Sequence, residues 1–220
     1  MCLKKIFDKK NRTAKKVEII QPELNRERIA QHEAAHGIVW YLFKNNWVVN
    51  SLTIERNGLP DERMNGALQI SPNFDVNGQN SIERANELFA IAFAGMIGQN
   101  MNLLIHREYI CIEIAQVTHF NRILDTTGCS GDFEIAFTYL APLAHEFNVN
   151  QYLFAKYKVM DLVYLFQNNY RVEQLHSQLT QTLLEKGTLK KEELEHFFEE
   201  HNFQEYVEDE NLDINFFHQR

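Results

Sequence analysis

The apolar positions of this chain recur mostly at helical spacing. Glu23 to Phe43 carries them at the helical period, and Pro22 stands at the start, where a missing N–H costs nothing, so one long helix is predicted. Val48 to Glu55 alternates and is β-branched, which predicts a strand, and Ala67 to Ser71 reads as a second short strand after the turn signal Asn57-Gly58. Ser81 opens a second helix, with Glu83 and Arg84 in its first turn and an apolar run to Met101. Glu108–Leu124 reads as helical, and Thr126-Thr127-Gly128 as a break. Ser130–Phe147 follows as a helix that Pro142 is expected to kink or end early. Further helices are predicted at Gln151–Gln167, Arg171–Glu185 and Lys190–His201. The fold class that follows is mainly α with a small β-sheet or hairpin.

Composition narrows this picture. Hydrophobic residues make up 45% of the 220, enough for a real core, and with only 9 Gly and 4 Pro an all-β fold rich in tight turns is disfavoured. The net charge of −8 leaves no positive field for a phosphate backbone, so no nucleic-acid partner is expected. Three scattered cysteines, Cys2, Cys111 and Cys129, make neither a disulfide framework nor a thiolate zinc site, which suits a reducing cytoplasm. The uncharged run Leu88–Ile105 contains Gln99, Asn100 and Asn102, so a buried helix is expected there rather than a membrane span. The N-terminus has no apolar signal region. Residues 1–20 read as a mobile basic arm, 21–201 as the folded domain and 202–220 as an acidic tail that Phe203, Tyr206, Phe216 or Phe217 could dock.

One segment of the first helix carries chemistry. Residues 32–36 read His-Glu-Ala-Ala-His. Two histidines at i and i+4 lie one above the other on a helix face, and their ring nitrogens can converge on one ion. Glu33 points about 100° away, beside the open position of such an ion, where it can take a proton from an attacking water. This is the zincin arrangement for peptide hydrolysis. Ile29, Val39, Trp40 and Phe43 lie near the same face, which would put the ligands inside a core. Ala34, Ala35 and Gly37 keep the helix slim, and Ala92, Ala94, Gly95 and Gly98 offer a matching slim surface on the second helix. The plainer reading is two hydrogen-bonded core histidines.

A zinc site needs a third protein ligand. Val39 and Leu42 stand where a metzincin would carry Gly and His, so the ligand comes from elsewhere. His106, Glu108, Glu113, His119, Asp125, Asp132, Glu134 and His145 are all candidates, and spacing alone does not choose among them.

The chain resembles the metallopeptidase domain of FtsH-type AAA+ proteases. The resemblance runs over roughly residues 27–198. The family's His-Glu-Ala-Gly-His helix resembles His32–His36, and the strand that follows it resembles Leu52–Gly58. A small-residue Gly-Gly-Arg-Ala-Ala-Glu segment is similar to Ala94–Gln99. A Thr-Gly-Ala-Ser-Asn-Asp segment resembles Thr127–Asp132, and a Leu-Leu-Glu-Lys-Glu-Thr-Leu pattern resembles Leu183–Leu189. The resemblance implies a helical zincin-like domain, a Zn²⁺ cofactor held by His32, His36 and Asp132, and Glu33 as the general base. It also implies a polypeptide substrate, self-association, since the family forms rings, and a separate ATPase partner. The family's Arg and Glu are Met96 and Gln99 here, and about twenty extra residues near Asn102–Asp125 precede the Asp block. Phe137 stands in place of the family's usual Thr, and no Gly-Lys-Ser/Thr phosphate loop is present.

The expected function is therefore zinc-dependent endopeptidase activity in the cytoplasm. The rival expectation is a non-catalytic binding or regulatory module on the same scaffold, motivated by the altered segment and the absence of an ATPase module. Two subsidiary readings concern neighbouring elements. Cys129 reads as a small buried thiol in a turn. Val48–Glu55, as an edge strand beside the metal helix, would hold an extended substrate by strand addition; as a covered strand it would not.

Overall fold

The computed structural model describes residues 22–55, 66–74, 81–100 and 130–209. The expected segments Asn57-Gly58, Glu108–Leu124 and Thr126–Gly128, the basic arm, Cys129 and the end of the chain from residue 210 lie outside them.

The protein is mainly helical with one small antiparallel sheet. Helix α1 (Pro22–Leu42) is its centre. From Ala30 onward almost every residue is buried, including Ala34, Ala35, Ile38, Val39 and Trp40. A helix buried on all sides needs partners on opposite faces. Helix α2 (Ser81–Gln99) covers one face and helix α5 (Tyr170–Lys186) another. Helix α3 (Ser130–Glu146) packs on α2, and helix α4 (Gln151–Asn168) packs on both α2 and α3.

The sheet has the order β2-β1-β3. Strand β1 (Trp47–Thr53) pairs antiparallel with β2 (Ala67–Pro72), Leu52 opposite Leu68, with a register shift between Val49 and Ser51. On its other side, residues 51–53 pair with β3 (Thr188–Lys190), Leu52 opposite Leu189. The strand expected at Val48–Glu55 is thus central, and the edge-strand reading of it is corrected. The third strand that covers it arrives from 135 residues later in the chain, a pairing no local pattern announces.

Gly187 makes the turn into β3. Its φ of +75° is one that side-chain-bearing residues rarely adopt, its N–H closes α5 on the Leu183 carbonyl at 2.8 Å, and its carbonyl accepts from Ile54 N–H at 2.8 Å. At the other end of α5 the Asn169 side chain accepts from Val172 N–H at 3.0 Å and caps the helix. Pro142 does not end α3 early: the helix runs on to Glu146. Pro142 is exposed, so the carbonyl deprived of its N–H donor lies on the side where water can serve it. After helix α6 (Lys191–Glu200), Phe203–Asp209 form a short helix, α7. Phe203 is fully buried against the rings of Tyr41 and Phe198, with centroids 5.4 and 5.6 Å away, and Tyr206, whose hydroxyl donates to Asn169 Oδ1 at 2.7 Å, helps it dock acidic sequence onto the core.

Two buried polar contacts tie these layers together. Glu87 on α2 accepts from Trp47 Nε1–H at 2.9 Å and Asn46 Nδ2–H at 3.0 Å, joining α2 to the start of β1. His176 on α5 lies 2.8 Å from the Gln31 carbonyl of α1 through Nε2, with the Phe166 ring edge-on. Burial pushes the His176 pKa down, outweighing that carbonyl bond, so the folded chain keeps it neutral. The unfolded imidazole takes up a proton below about 6.5. His176 therefore contributes its full stability above that pH, and the contribution falls as pH drops below it, by up to about 1.4 kcal/mol per unit. Urea midpoints at pH 7 and pH 5.5 should separate more for the parent than for His176→Phe.

Candidate metal centre

The sequence places His32 and His36 one helical turn apart on α1, and the fold buries both: 7% and 4% of each residue is exposed. Their Nε2 atoms approach to 2.9 Å, with the rings edge-on at 83°. Across from them stands Asp132, in the first turn of α3. Its Oδ2 is 2.9 Å from His32 Nε2 and its Oδ1 is 3.5 Å from His36 Nε2. The acidic residue at a helix start is also favoured there by the helix dipole, but this carboxylate is turned onto two imidazoles. Among the described residues these three form the one group of at least three His, Cys, Asp or Glu side chains whose donor atoms all lie within 4.8 Å of each other.

Helix α2 orients one ring. His36 Nδ1 is 2.6 Å from the Ile91 carbonyl, and that contact makes Nδ1 the protonated nitrogen. Nε2 of a neutral His36 is then a bare lone pair, facing another imidazole nitrogen and a carboxylate oxygen. Three basic atoms converging in this way need a positive centre among them, which a proton on His32 Nε2 or a metal ion can supply. Bonds of about 2.0–2.1 Å at tetrahedral angles put ligand atoms about 3.3–3.4 Å apart, which the 3.5 Å separation meets, while the two at 2.9 Å are hydrogen-bond distances that would widen slightly around an ion. Two imidazole nitrogens and a carboxylate are also a donor set that suits zinc.

Glu33 completes the centre. Only 4% of it is exposed, and its Oε2 is buried with no hydrogen-bond partner among the described residues. Burial raises its pKa to about 7 against the opposing pull of His32 and His36, and the Asp132 charge raises it further. A buried carboxyl with one oxygen unserved, adjacent to two imidazoles and a second carboxylate, is poised to exchange a proton near neutral pH. Asp132 behaves differently. Burial alone would raise it, but His36 and His32, through charge and hydrogen bonding, outweigh that and hold its carboxyl well below the usual range. Two carboxyls in one site are thus pushed apart, one toward proton exchange and one toward permanent charge.

Of the eight residues that spacing left open as third ligand, Asp132 reaches the histidines. Glu134 and His145 are exposed on α3, and His106, Glu108, Glu113, His119 and Asp125 lie outside the described residues. Sequence reasoning missed the Ile91 carbonyl, which as a backbone group leaves no side-chain signature. It also missed Gly66, which lies against Glu33 and whose only signal is an Asn-Gly pair before β2.

No model of a known protein family matches the chain, and no curated protein matches it either.

Proposed function

We propose that this protein is a zinc-dependent metalloendopeptidase. The observation that carries this reading is the convergence of His32, His36 and Asp132 on one point with the buried, half-unserved carboxyl of Glu33 beside it. His32 and His36, each through Nε2, and Asp132, through its carboxylate, would hold the ion. When bound, zinc supplies Lewis-acid polarisation of a scissile carbonyl and brings the acidity of a water near neutrality. Glu33 accepts the proton of the attacking water and passes it to the leaving amine. Asp132 stays charged throughout and fixes the two rings in register. His36 keeps its orientation through the Ile91 carbonyl.

A polypeptide substrate suits the neighbouring sheet. Among the described residues β2 is an edge of the sheet, and Gly66 just ahead of it lies against Glu33. Among the described residues no helix is long and apolar enough to cross a membrane. A cytoplasmic setting, self-association and delivery by a separate ATPase remain part of the proposal through the resemblance to FtsH-type peptidases.

A second reading, a metal-holding module without catalysis, draws on the near-complete burial of Glu33. A mixed peptide library separates the two. Cleavage by the zinc-loaded chain, abolished by a chelator and restored by zinc, is the expected result. An uncut library, with metal bound and the fold intact, selects the second reading.

A further inference from the structure

We propose that two bare backbone positions are the positioning residues of this centre: Gly95 determines whether the imidazoles can converge on a metal ion, and Gly66 whether Glu33 can keep its carboxyl beside it. The inference rests on the metallopeptidase reading of the site and deepens it. Neither glycine has the positive φ that would by itself call for one. Gly95 lies inside α2, where glycine costs helix stability, so a packing reason is required.

The geometry supplies one. A Cβ at Gly95 would lie 2.5 Å from His32 Cε1, 2.5 Å from His32 Nε2 and 2.5 Å from His36 Nε2. A methyl there would compete with an ion for the space between the two donor nitrogens. The same helical turn orients His36: the Ile91 carbonyl that receives the ring N–H is, by i→i−4 geometry, the acceptor of the Gly95 N–H. One turn of α2 therefore aims a ring and leaves it room. At Gly66, ahead of β2, a Cβ would lie 2.6 Å from Glu33 Oε1 and 2.9 Å from both Glu33 Cγ and Ile29 Cγ2. Bare backbone there lets the carboxyl stay where it is. Gly98 provides the internal contrast. Its Cβ would meet Ala35 Cβ, the Gln31 carbonyl at 2.7 Å and His176 Nε2 at 2.9 Å, contacts with α1 and α5 away from the paired donor nitrogens of His32 and His36.

The test titrates the full chain with Co²⁺ alone and follows its visible absorption, with turnover of a cleaved peptide as a separate readout. Gly95→Ala should lose about 10–100-fold in cobalt affinity, together with the tetrahedral absorption band. Gly66→Ala should bind cobalt as the parent does and lose turnover at unchanged KM. Parent-like cobalt binding by Gly95→Ala overturns the inference while leaving the functional reading intact. A parent that binds no cobalt overturns both. If Gly95→Ala alone does not fold, it is placed in a His32→Ala/His36→Ala background, where the rings are gone. Recovery of the fold there, with Gly98→Ala still disruptive, supports the inference. Failure of Gly95→Ala to fold even there overturns it.

Discussion

Replacing Glu33 by glutamine is expected to lower peptide turnover by about 10²–10⁴-fold while leaving metal binding in place. The two side chains are nearly the same size, so the amide fits the cavity that buries the carboxyl, but it cannot accept the proton of the attacking water. Because one carboxylate oxygen already lacks a hydrogen-bond partner among the described residues, an amide nitrogen left unserved in its place repeats a desolvation cost that the parent already bears. Thermal midpoint and metal content should therefore stay near the parent's while kcat falls. The pH profile carries a second signature. The Glu33 carboxyl sits near 7 because burial disfavours its charge, and a divalent cation beside it would lower that value. The acid limb of kcat/KM in the metal-loaded parent should thus lie below 7 and disappear from the residual activity of Glu33→Gln. Activity that survives the substitution at parental level would remove Glu33 from the mechanism.

Asp132→Ala should act on the metal instead. Loss of the Asp132 carboxylate leaves two imidazoles to hold an ion, and affinity should fall by at least about 100-fold. Turnover at limiting zinc falls with it. The metal-free chains differ too. The Asp132 carboxyl is held low by the two imidazoles despite burial, so its contribution to stability is present above the unfolded carboxylate pKa of about 3.9 and is lost as pH falls below it. Acid unfolding of the metal-free parent should therefore have a component that Asp132→Ala lacks. Equal zinc affinity in the two chains would move the third ligand to another residue.

Much of this architecture can be read from the chain because its helices are long and periodic. Pro22, Ser81 and Ser130 each stand where a helix begins. The reading fails where tertiary contact decides. Thr188–Lys190 is too short to show a period and is a strand only because β1 lies beside it. Phe203 is one of four aromatic residues that could dock the acidic stretch, and that it is buried is decided by the rings of Tyr41 and Phe198, a contact no local pattern gives. The site divides in the same way. His32, Glu33 and His36 are local, and helical geometry predicts their convergence. Asp132 joins them across 100 residues, so spacing could not choose it and only the resemblance to FtsH-type peptidases did. The Ile91 carbonyl and the bare Cα atoms of Gly66 and Gly95 act through backbone and through space, which side-chain patterns do not record.

The most direct test is the zinc content of the full chain after purification at neutral pH, measured beside the His32→Ala/His36→Ala variant. About one zinc per parent chain and almost none in the variant is the expected result. A parent that takes up no zinc even when it is supplied, or a variant that holds as much as the parent, would contradict it.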